Sequence, residues 1–419
     1  MKVFLVGGAV RDQLLGLPIN ERDWVVIGET PESLLSQGYQ AVGRDFPVFL
    51  HPETREEYAL ARTEKKQGVG YYGFICNANP AVTLEEDLAR RDLTINAMAK
   101  DNEGRVIDPY HGQEDLKHKV LRHVSDAFIE DPVRVLRVAR FIARFHHLGF
   151  TIAPETRRLM QHMVREGELA YLVAERVWQE WQRSLLEPNP EYFITTLRDC
   201  GGLAVVLPEI DALFGVPNAR GYHPEVDTGV HSLHTLVIAS RLSLDPMARF
   251  ASFLHDLGKA KTPMQVWPSH PGHAGAGLEM IQDLCERLRI PTRYQQCARM
   301  AARWHGTIHR LLTLSPESIV DLLDQTAAFR DPVAFERLLV ISEADYKGRY
   351  VDNSLIMVSA DYQFSQLWRI ILAECGKLTA ANWVEQGLVG VAIKNALYQA
   401  RVACVKALRK QWESNEIKR

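Results

Sequence analysis

The stretch Lys2-Val3-Phe4-Leu5-Val6-Gly7-Gly8-Ala9-Val10-Arg11-Asp12 reads as a short strand, a two-glycine turn and a short helix, and Glu21-Arg22-Asp23-Trp24-Val25-Val26-Ile27 follows as a second strand. Two successive glycines let backbone N–H groups approach a phosphate closely, and the start of a helix favours negative charge. Glu21 and Asp23 stand two apart on an extended segment, so they project to one face. Mg²⁺ prefers hard oxygen ligands and is commonly held by one or two carboxylates together with substrate phosphates. A glycine turn alone is usually structural, and an isolated E-x-D is usually a solvated strand entrance. Their succession in one strand-turn-helix-strand unit is what points to phosphate chemistry.

Outward from this unit, residues 3–6, 24–27, 48–50, 58–61 and 106–107 read as strands between turns marked by Gly, Pro and Asp. From Asp131 onward apolar residues recur at three- and four-residue spacing, as in Val135, Leu136, Val138, Ala139 and Ile142, and no further strand is expected. The fold class is therefore α+β, an amino-terminal mixed sheet followed by an all-helical remainder. A length of 419 residues allows about three domains at roughly 150 residues each. The turn-rich residues 208–224 are the expected linker. The expected segments are a head at 1–125, a helical neck and body at 126–222, a histidine-rich domain at 223–349 and a helical tail at 350–419.

A composition of 46% hydrophobic and 24% charged residues fits a chain that buries real cores and argues against disorder. No run of about 18 apolar residues occurs, and Gly7-Gly8 arrives before a signal-peptide core can form. A cytoplasmic protein with no membrane partner, monomeric or weakly dimeric, is expected. The six cysteines are scattered and never form C-x-x-C, so neither a disulfide framework nor a thiolate zinc site is suggested, and reduced, buried, inert thiols are expected. With a net charge of only −3, any nucleic-acid partner must be held by local basic surface.

Three further segments carry chemistry. Thr83-Leu84-Glu85-Glu86 is a capping-box start leading to Arg90-Arg91-Asp92-Leu93-Thr94-Ile95-Asn96-Ala97, where adjacent guanidiniums suit bidentate contact with a triphosphate. Residues 65–74, rich in Gly and Tyr, read equally as a mobile loop able to close over primer or nucleotide and as an ordinary flexible loop. In Glu130-Asp131-Pro132-Val133-Arg134, Asp131 caps and Pro132 suits the first turn of a helix on which Arg134, Arg137, Arg140 and Arg144 fall on one side. No Asp or Glu occurs between residues 132 and 154, so this stripe lacks acids for pairing within its own helix and predicts an anionic partner. Finally, eight of the fifteen histidines (223, 231, 234, 255, 270, 273, 305 and 309) cluster in one stretch. Within it, Phe253-Leu254-His255-Asp256-Leu257-Gly258-Lys259 sets His and Asp side by side, with His231 on an earlier helix. Mixed imidazole and carboxylate ligands suit a divalent ion that activates water.

Taken together, G-G-x-V-R-D at 7–12, E-x-D at 21–23, R-R-D-x-x-x-N-A at 90–97 and E-D-x-x-R at 130–134 resemble the DNA polymerase β-like nucleotidyltransferases, in particular the bacterial CCA-adding tRNA nucleotidyltransferases. H…H-D-x-G-K resembles the HD phosphohydrolases found fused behind that head. The likeness spans nearly the whole chain, strongest at 1–150 and 225–260. It implies template-free addition of CCA to the 3′ end of tRNA from CTP and ATP, with Glu21 and Asp23 as catalytic Mg²⁺ ligands. Gly8, Arg11, Arg91, Asp131, Arg134, Arg137 and Arg140 are then the nucleotide-binding residues, Asp131 and Arg134 imitating Watson–Crick pairing with the incoming base. That family usually has D-x-D, so Glu21 departs from it by one methylene. Glu57 is the expected third head carboxylate. In the second domain the likeness makes His231, His255 and Asp256 metal ligands, His255 and Asp256 catalytic, with Asp345 the candidate fourth ligand; His273, His305 and His309 either line the site or are polar surface residues. It implies 2′,3′-cyclic phosphodiesterase, 2′-nucleotidase and phosphatase activities with a divalent metal, Ni²⁺ among the candidates. The alternatives are a poly(A) polymerase, which shares head and neck motifs, or a phosphohydrolase whose head is an inactive RNA-binding module.

Overall fold

A computed structural model describes residues 1–42, 48–66, 74–77, 79–219, 227–349 and 362–416. Most of the loop expected at 65–74, the end of the linker expected at 208–224, and His223 lie outside them. The chain divides into two compact units, Met1–Pro208 and Glu209–Arg419.

The first unit is built on a seven-stranded sheet. Its order is Gln40–Val42, Val48–Leu50, Glu57–Leu60, Asp23–Ile27, Lys2–Val6, Ala99–Lys100 and Val106–Ile107. Asp23–Ile27 runs antiparallel to Lys2–Val6 and parallel to Glu57–Leu60, so the sheet is mixed. Alternation along these strands buries both faces: Val6 and Val25 pack with Leu88 and Ala97, whereas Val26 and Leu60 pack with Leu34 and Phe49. Burial of Leu34 and Leu88, both at 0% exposure, is worth about 2 kcal/mol each.

All five expected strands form, each within one or two residues of its expected bounds. The expectation of no strand beyond the head needs correction, because Thr151–Ile152 pairs in parallel with Val120–Leu121. Two residues are too few to display an alternation, and their partner lies some thirty positions away, so no local pattern marks them.

The helix Val133–Phe145 packs on Ala174–Ser184 and Glu191–Asp199. In the second unit, Thr228–Leu242, Pro246–Leu254, Thr292–Ile308 and Pro332–Gly348 pack together. The chain beyond residue 361 joins that unit's core: Trp368, Ile371, Val402 and Val405 pack with Ile319, Leu323 and Phe335, and the Trp368 indole N–H donates to the Ile308 carbonyl at 3.1 Å. Among the described residues no helix is long and apolar enough to cross a membrane. Burial pushes the Cys285, Cys297 and Cys375 thiols up to about 12, which keeps them protonated and unreactive.

Candidate active sites

The register of the first two strands places Asp23 opposite Val6, immediately before the Gly7–Gly8 turn. Gly7 holds a left-handed φ of 66°, and a Cβ there would stand 2.8 Å from Arg91 Nη1. The Arg91 guanidinium therefore lies directly against the turn. Around it opens a cavity of about 890 Å³, whose wall includes Gly7, Gly8, Glu21, Asp23, Arg91, Asp131, Arg134, Arg137 and Arg140. Ten arginines against seven carboxylates line it, an excess of positive charge suited to a polyphosphate.

Glu21 and Asp23 share this wall, as their spacing predicts. Burial raises the Asp23 carboxyl above its ordinary range; Arg91 opposes that and Glu21 adds to it. Two neighbouring carboxylates on a cavity wall, one already reluctant to ionise, are a fitting seat for a divalent cation. Glu57 is the register partner of Asp23 on the adjacent parallel strand, but it is exposed and does not line the cavity.

The arginine stripe differs from its sequence reading. Acids from other elements meet three of its members: Asp92 Oδ2 lies 2.7 Å from Arg137 Nε, Glu180 Oε2 2.6 Å from Arg140 Nε, and Asp12 Oδ2 2.9 Å from Arg144 Nη2. The counter-charges were hidden because they lie 40 to 132 positions away. Arg134 is buried and donates to the carbonyls of Ala127 and Arg90 at 2.5 and 2.6 Å. Asp131 accepts from the Val133 N–H and forms a two-pronged pair with Arg176 at 3.0 and 2.7 Å. Arg11 is 3% exposed and is tied to Asp12 and Asn96 beneath the turn. The buried Asp87 holds both Arg90 and Arg91.

Sequence reasoning missed Arg176, Gln179, Glu180 and Arg183, all on the cavity wall. Their spacing of three, four and seven makes one polar face of Ala174–Ser184, opposite buried Val177, Trp178 and Trp181, and that signal was legible.

Asp92 joins head to neck: besides Arg137, it accepts from the Leu93 N–H and from Asn96 Nδ2 at 2.8 and 2.9 Å. Burial works to raise its pKa, but Arg137, Asn96 and Arg134 outweigh it and hold the carboxyl well below its usual range. A depressed folded-state pKa contributes stability above the unfolded value of about 3.9, and that contribution is lost as pH falls through the folded one. Asp92→Asn should cost roughly 2–4 kcal/mol at pH 7, somewhat less than for a sealed pair because Arg137 is partly open to solvent. The cost should shrink below about pH 4. Urea unfolding at pH 7 and pH 3 checks this; equal costs at both would show that charge is not the source.

In the second unit His231 and Asp345, each on a helix, come together with His255 and Asp256, just past the end of Pro246–Leu254, all but fully buried. His231 Nε2 lies 3.0 Å from Asp345 Oδ1, and His255 Nε2 lies 3.3 Å from Asp256 Oδ2 and 3.6 Å from Asp345 Oδ1. His255 donates its Nδ1–H to the Ser252 carbonyl at 2.7 Å, which leaves Nε2 facing the carboxylates without a proper hydrogen bond. This is how a metal-binding imidazole is oriented. Burial disfavours charge on His255, yet Asp256 and Asp345 push it up to about 10, so the ring holds a proton that a cation would displace. Both the donor set and the unsatisfied nitrogen fit a divalent metal. His309 braces Asp345 at 2.8 Å and accepts from, or donates to, the Tyr362 hydroxyl at 2.9 Å. His270 is structural, bonded to Thr262 and to the Pro217 carbonyl.

Gly258 fixes this geometry. A Cβ there would meet the His273 carbonyl at 2.0 Å and the Gly277 nitrogen at 2.4 Å, both backbone. Gly258→Ala should destabilise by about 2–3 kcal/mol, lowering the unfolding midpoint by roughly 5–10 °C. Calorimetry checks it, and an unchanged midpoint would mean that the helix moves aside freely.

Comparison with known proteins finds family matches in both units. Residues 3–122 match the family model described as poly A polymerase head domain, 149–214 that described as probable RNA and SrmB-binding site of polymerase A, and 228–331 the HD domain. The multifunctional CCA protein of Legionella pneumophila subsp. pneumophila is 60% identical over 416 residues, 99% of this chain and 100% of that protein. That of Thioalkalivibrio sulfidiphilus is 55% identical over 412 residues, 98% and 100% respectively. Among solved structures, the Thermotoga maritima CCA-adding enzyme complexed with tRNA-CCA has a TM-score of 0.58 at 19% identity, covering 99% of this chain and 91% of that one. The Bacillus stearothermophilus CCA-adding enzyme in complex with CTP has a TM-score of 0.58 at 22% identity, covering 100% and 95%. These structures share the fold, whereas identity of 55 to 60% from end to end reaches further: the chain belongs to the multifunctional CCA protein family.

Proposed function

We propose that this protein adds CCA to the 3′ end of tRNA from CTP and ATP without a nucleic-acid template, in the cytoplasm, and that its second unit hydrolyses phosphoesters. One observation carries the first activity: the Glu21–Asp23 pair, the Gly7–Gly8 turn and the Asp131 to Arg140 face line a single cavity. The turn and Arg91 receive the triphosphate, with Gly8 and Arg11 shaping its floor. Asp131 accepts from the exocyclic amino group that cytosine and adenine share and uracil lacks, while Arg134 donates to the base edge. Arg137 and Arg140 contact nucleotide or phosphate, exchanging their internal acids for it. Glu21 and Asp23 would hold Mg²⁺, which would supply charge stabilisation to the attacking hydroxyl and the pyrophosphate leaving group.

Residues 1–125 then transfer, 126–222 select the nucleotide and hold the tRNA acceptor arm, and 223–349 hydrolyse, with the described part of the tail at 350–419 packing in that unit's core. In the hydrolytic centre His231, His255, Asp256 and Asp345 hold a divalent metal, Ni²⁺ among the fitting ions, that supplies an activated water. Its substrates are 2′,3′-cyclic phosphates, 2′-phosphates and simple phosphomonoesters.

The test supplies tRNA lacking its 3′ CCA with each labelled nucleotide. Addition of C, C and A that then stops is expected. Continued A addition would identify a poly(A) polymerase, and no addition would leave the head an RNA-binding module.

A further inference from the structure

We infer that Arg183 seats the phosphodiester nearest the 3′ end of the tRNA, with Gln179 and Leu186 beside it receiving the terminal nucleotide. This rests on the reading that the cavity of the first unit extends a tRNA 3′ end.

That reaction brings a second anion, besides the triphosphate, to the cavity. The attacking 3′-hydroxyl must come up to the wall that carries Glu21 and Asp23. Its own nucleotide, and the linkage on that nucleotide's 5′ side, must then lie in the cavity or at its mouth. A phosphodiester carries one negative charge, which one guanidinium matches in charge and geometry.

The fold leaves one cation on the wall unpaired. Five carboxylates, those of Asp12, Asp87, Asp92, Asp131 and Glu180, hold seven of the ten arginines. Arg134 donates to two carbonyls, and Arg62 is engaged as well. Arg183 is the tenth. Among the described residues its side chain has no ion pair or hydrogen bond, and it is the one exposed arginine of the ten, as a group at the cavity mouth must be.

Its neighbours suit a single strand of RNA. Gln179 and Arg183 stand one turn apart on the polar face of Ala174–Ser184 that also carries Arg176. At a rise of 1.5 Å per residue, Arg183 lies about 10 Å along the helix from Arg176, a distance that a nucleotide stacked on the incoming base spans. Arg176 in turn holds Asp131, the proposed reader of that base. The Gln179 amide both donates and accepts, which matches a base edge or a 2′-hydroxyl. Leu186, just past the helix end, lines the same cavity at 56% exposure and offers an apolar surface to a base or ribose. The triphosphate is already met by the Gly7–Gly8 turn with Arg91 against it. The helix dipole favours a cation in the last turn, which accounts for a basic residue there but not for its place on the cavity wall.

The experiment uses the full chain and tRNA ending in CC, with its last linkage either a normal phosphodiester or a neutral methylphosphonate. Wild type should bind the neutral form about tenfold more weakly. Arg183→Ala should bind the normal form about as weakly and lose nothing further with the neutral one. Its plot of log affinity against log salt should be shallower by about 0.7, the release expected for one phosphate on a single strand. Arg183→Lys should keep the wild-type salt slope, and CTP affinity should stay within about twofold in both variants. Arg183→Ala that binds the normal tRNA as wild type does, or that still discriminates against the neutral linkage, overturns the inference while CCA addition by wild type leaves the proposed function standing. Loss of CTP affinity with unaltered tRNA binding overturns it too, by assigning Arg183 to the triphosphate. A wild-type protein that neither binds this tRNA nor extends it overturns both. The side chain is exposed, so circular dichroism should be unchanged, and the neutral linkage tests the contact in wild type without any substitution.

Discussion

Asp23→Asn is expected to lower nucleotide addition by three orders of magnitude or more, with phosphoester hydrolysis held within about twofold. The size follows from what the residue faces. Asp23 sits across from Val6 at the mouth of the phosphate turn, shares a cavity wall with Glu21, and is poised against Arg91. Amide replacement keeps the shape but removes half of the anionic seat for the cation. A metal ion's stabilisation of transition-state charge is worth several kcal/mol, and each 1.36 kcal/mol is about tenfold in rate. Independence of the second activity follows because the two clusters belong to different compact units and share no residue. Single-turnover incorporation of labelled CTP into tRNA lacking its CCA end, beside release of phosphate from p-nitrophenyl phosphate, measures both. Retention of more than about a tenth of wild-type incorporation would place the cation elsewhere, since a lost ligand costs far more than that.

His255→Ala should produce the mirror result, a fall of about three orders of magnitude in hydrolysis of 2′,3′-cyclic nucleotides with CCA addition essentially unaltered. His255 is 1% exposed, and its ring is aimed by the Ser252 carbonyl at two carboxylates. Removing it takes away one ligand and leaves Asp256 and Asp345 facing each other without the intervening charge. Loss of bound metal by elemental analysis should accompany the loss of rate. Hydrolysis at wild-type rate with metal retained would mean that His255 is a packing residue. Asp256→Asn tests the same centre, because it removes a charge with little change of volume.

The helical character of the neck and the strands of the head could be read locally, since periods of 3.6 and 2 are written in neighbouring residues. The carboxylate pair and the histidine–aspartate centre were legible for a different reason. The combination of motifs, more than either pair alone, pointed to phosphate and metal chemistry, and the structure brings Asp345, far along the chain, to 3.0 Å from His231. The arginine stripe was legible as a ridge, but its counter-charges were not, because a helix displays only its own neighbours. Asp12, Asp92 and Glu180 come from elsewhere in the fold. The polar face carrying Arg176 was present in the spacing and overlooked.

The sequence alone thus determined which residues are candidates for metal, phosphate and base-edge contacts, because side-chain type and short-range spacing can be read without reference to the rest of the chain. Only the tertiary structure decided who balances whose charge: that Asp131 faces Arg176, that Asp92 fastens Arg137, and that Asp345 meets both His231 and His255. Those pairings depend on the packing of segments distant in sequence, and Coulomb energy and hydrogen-bond geometry act through space, not along the chain.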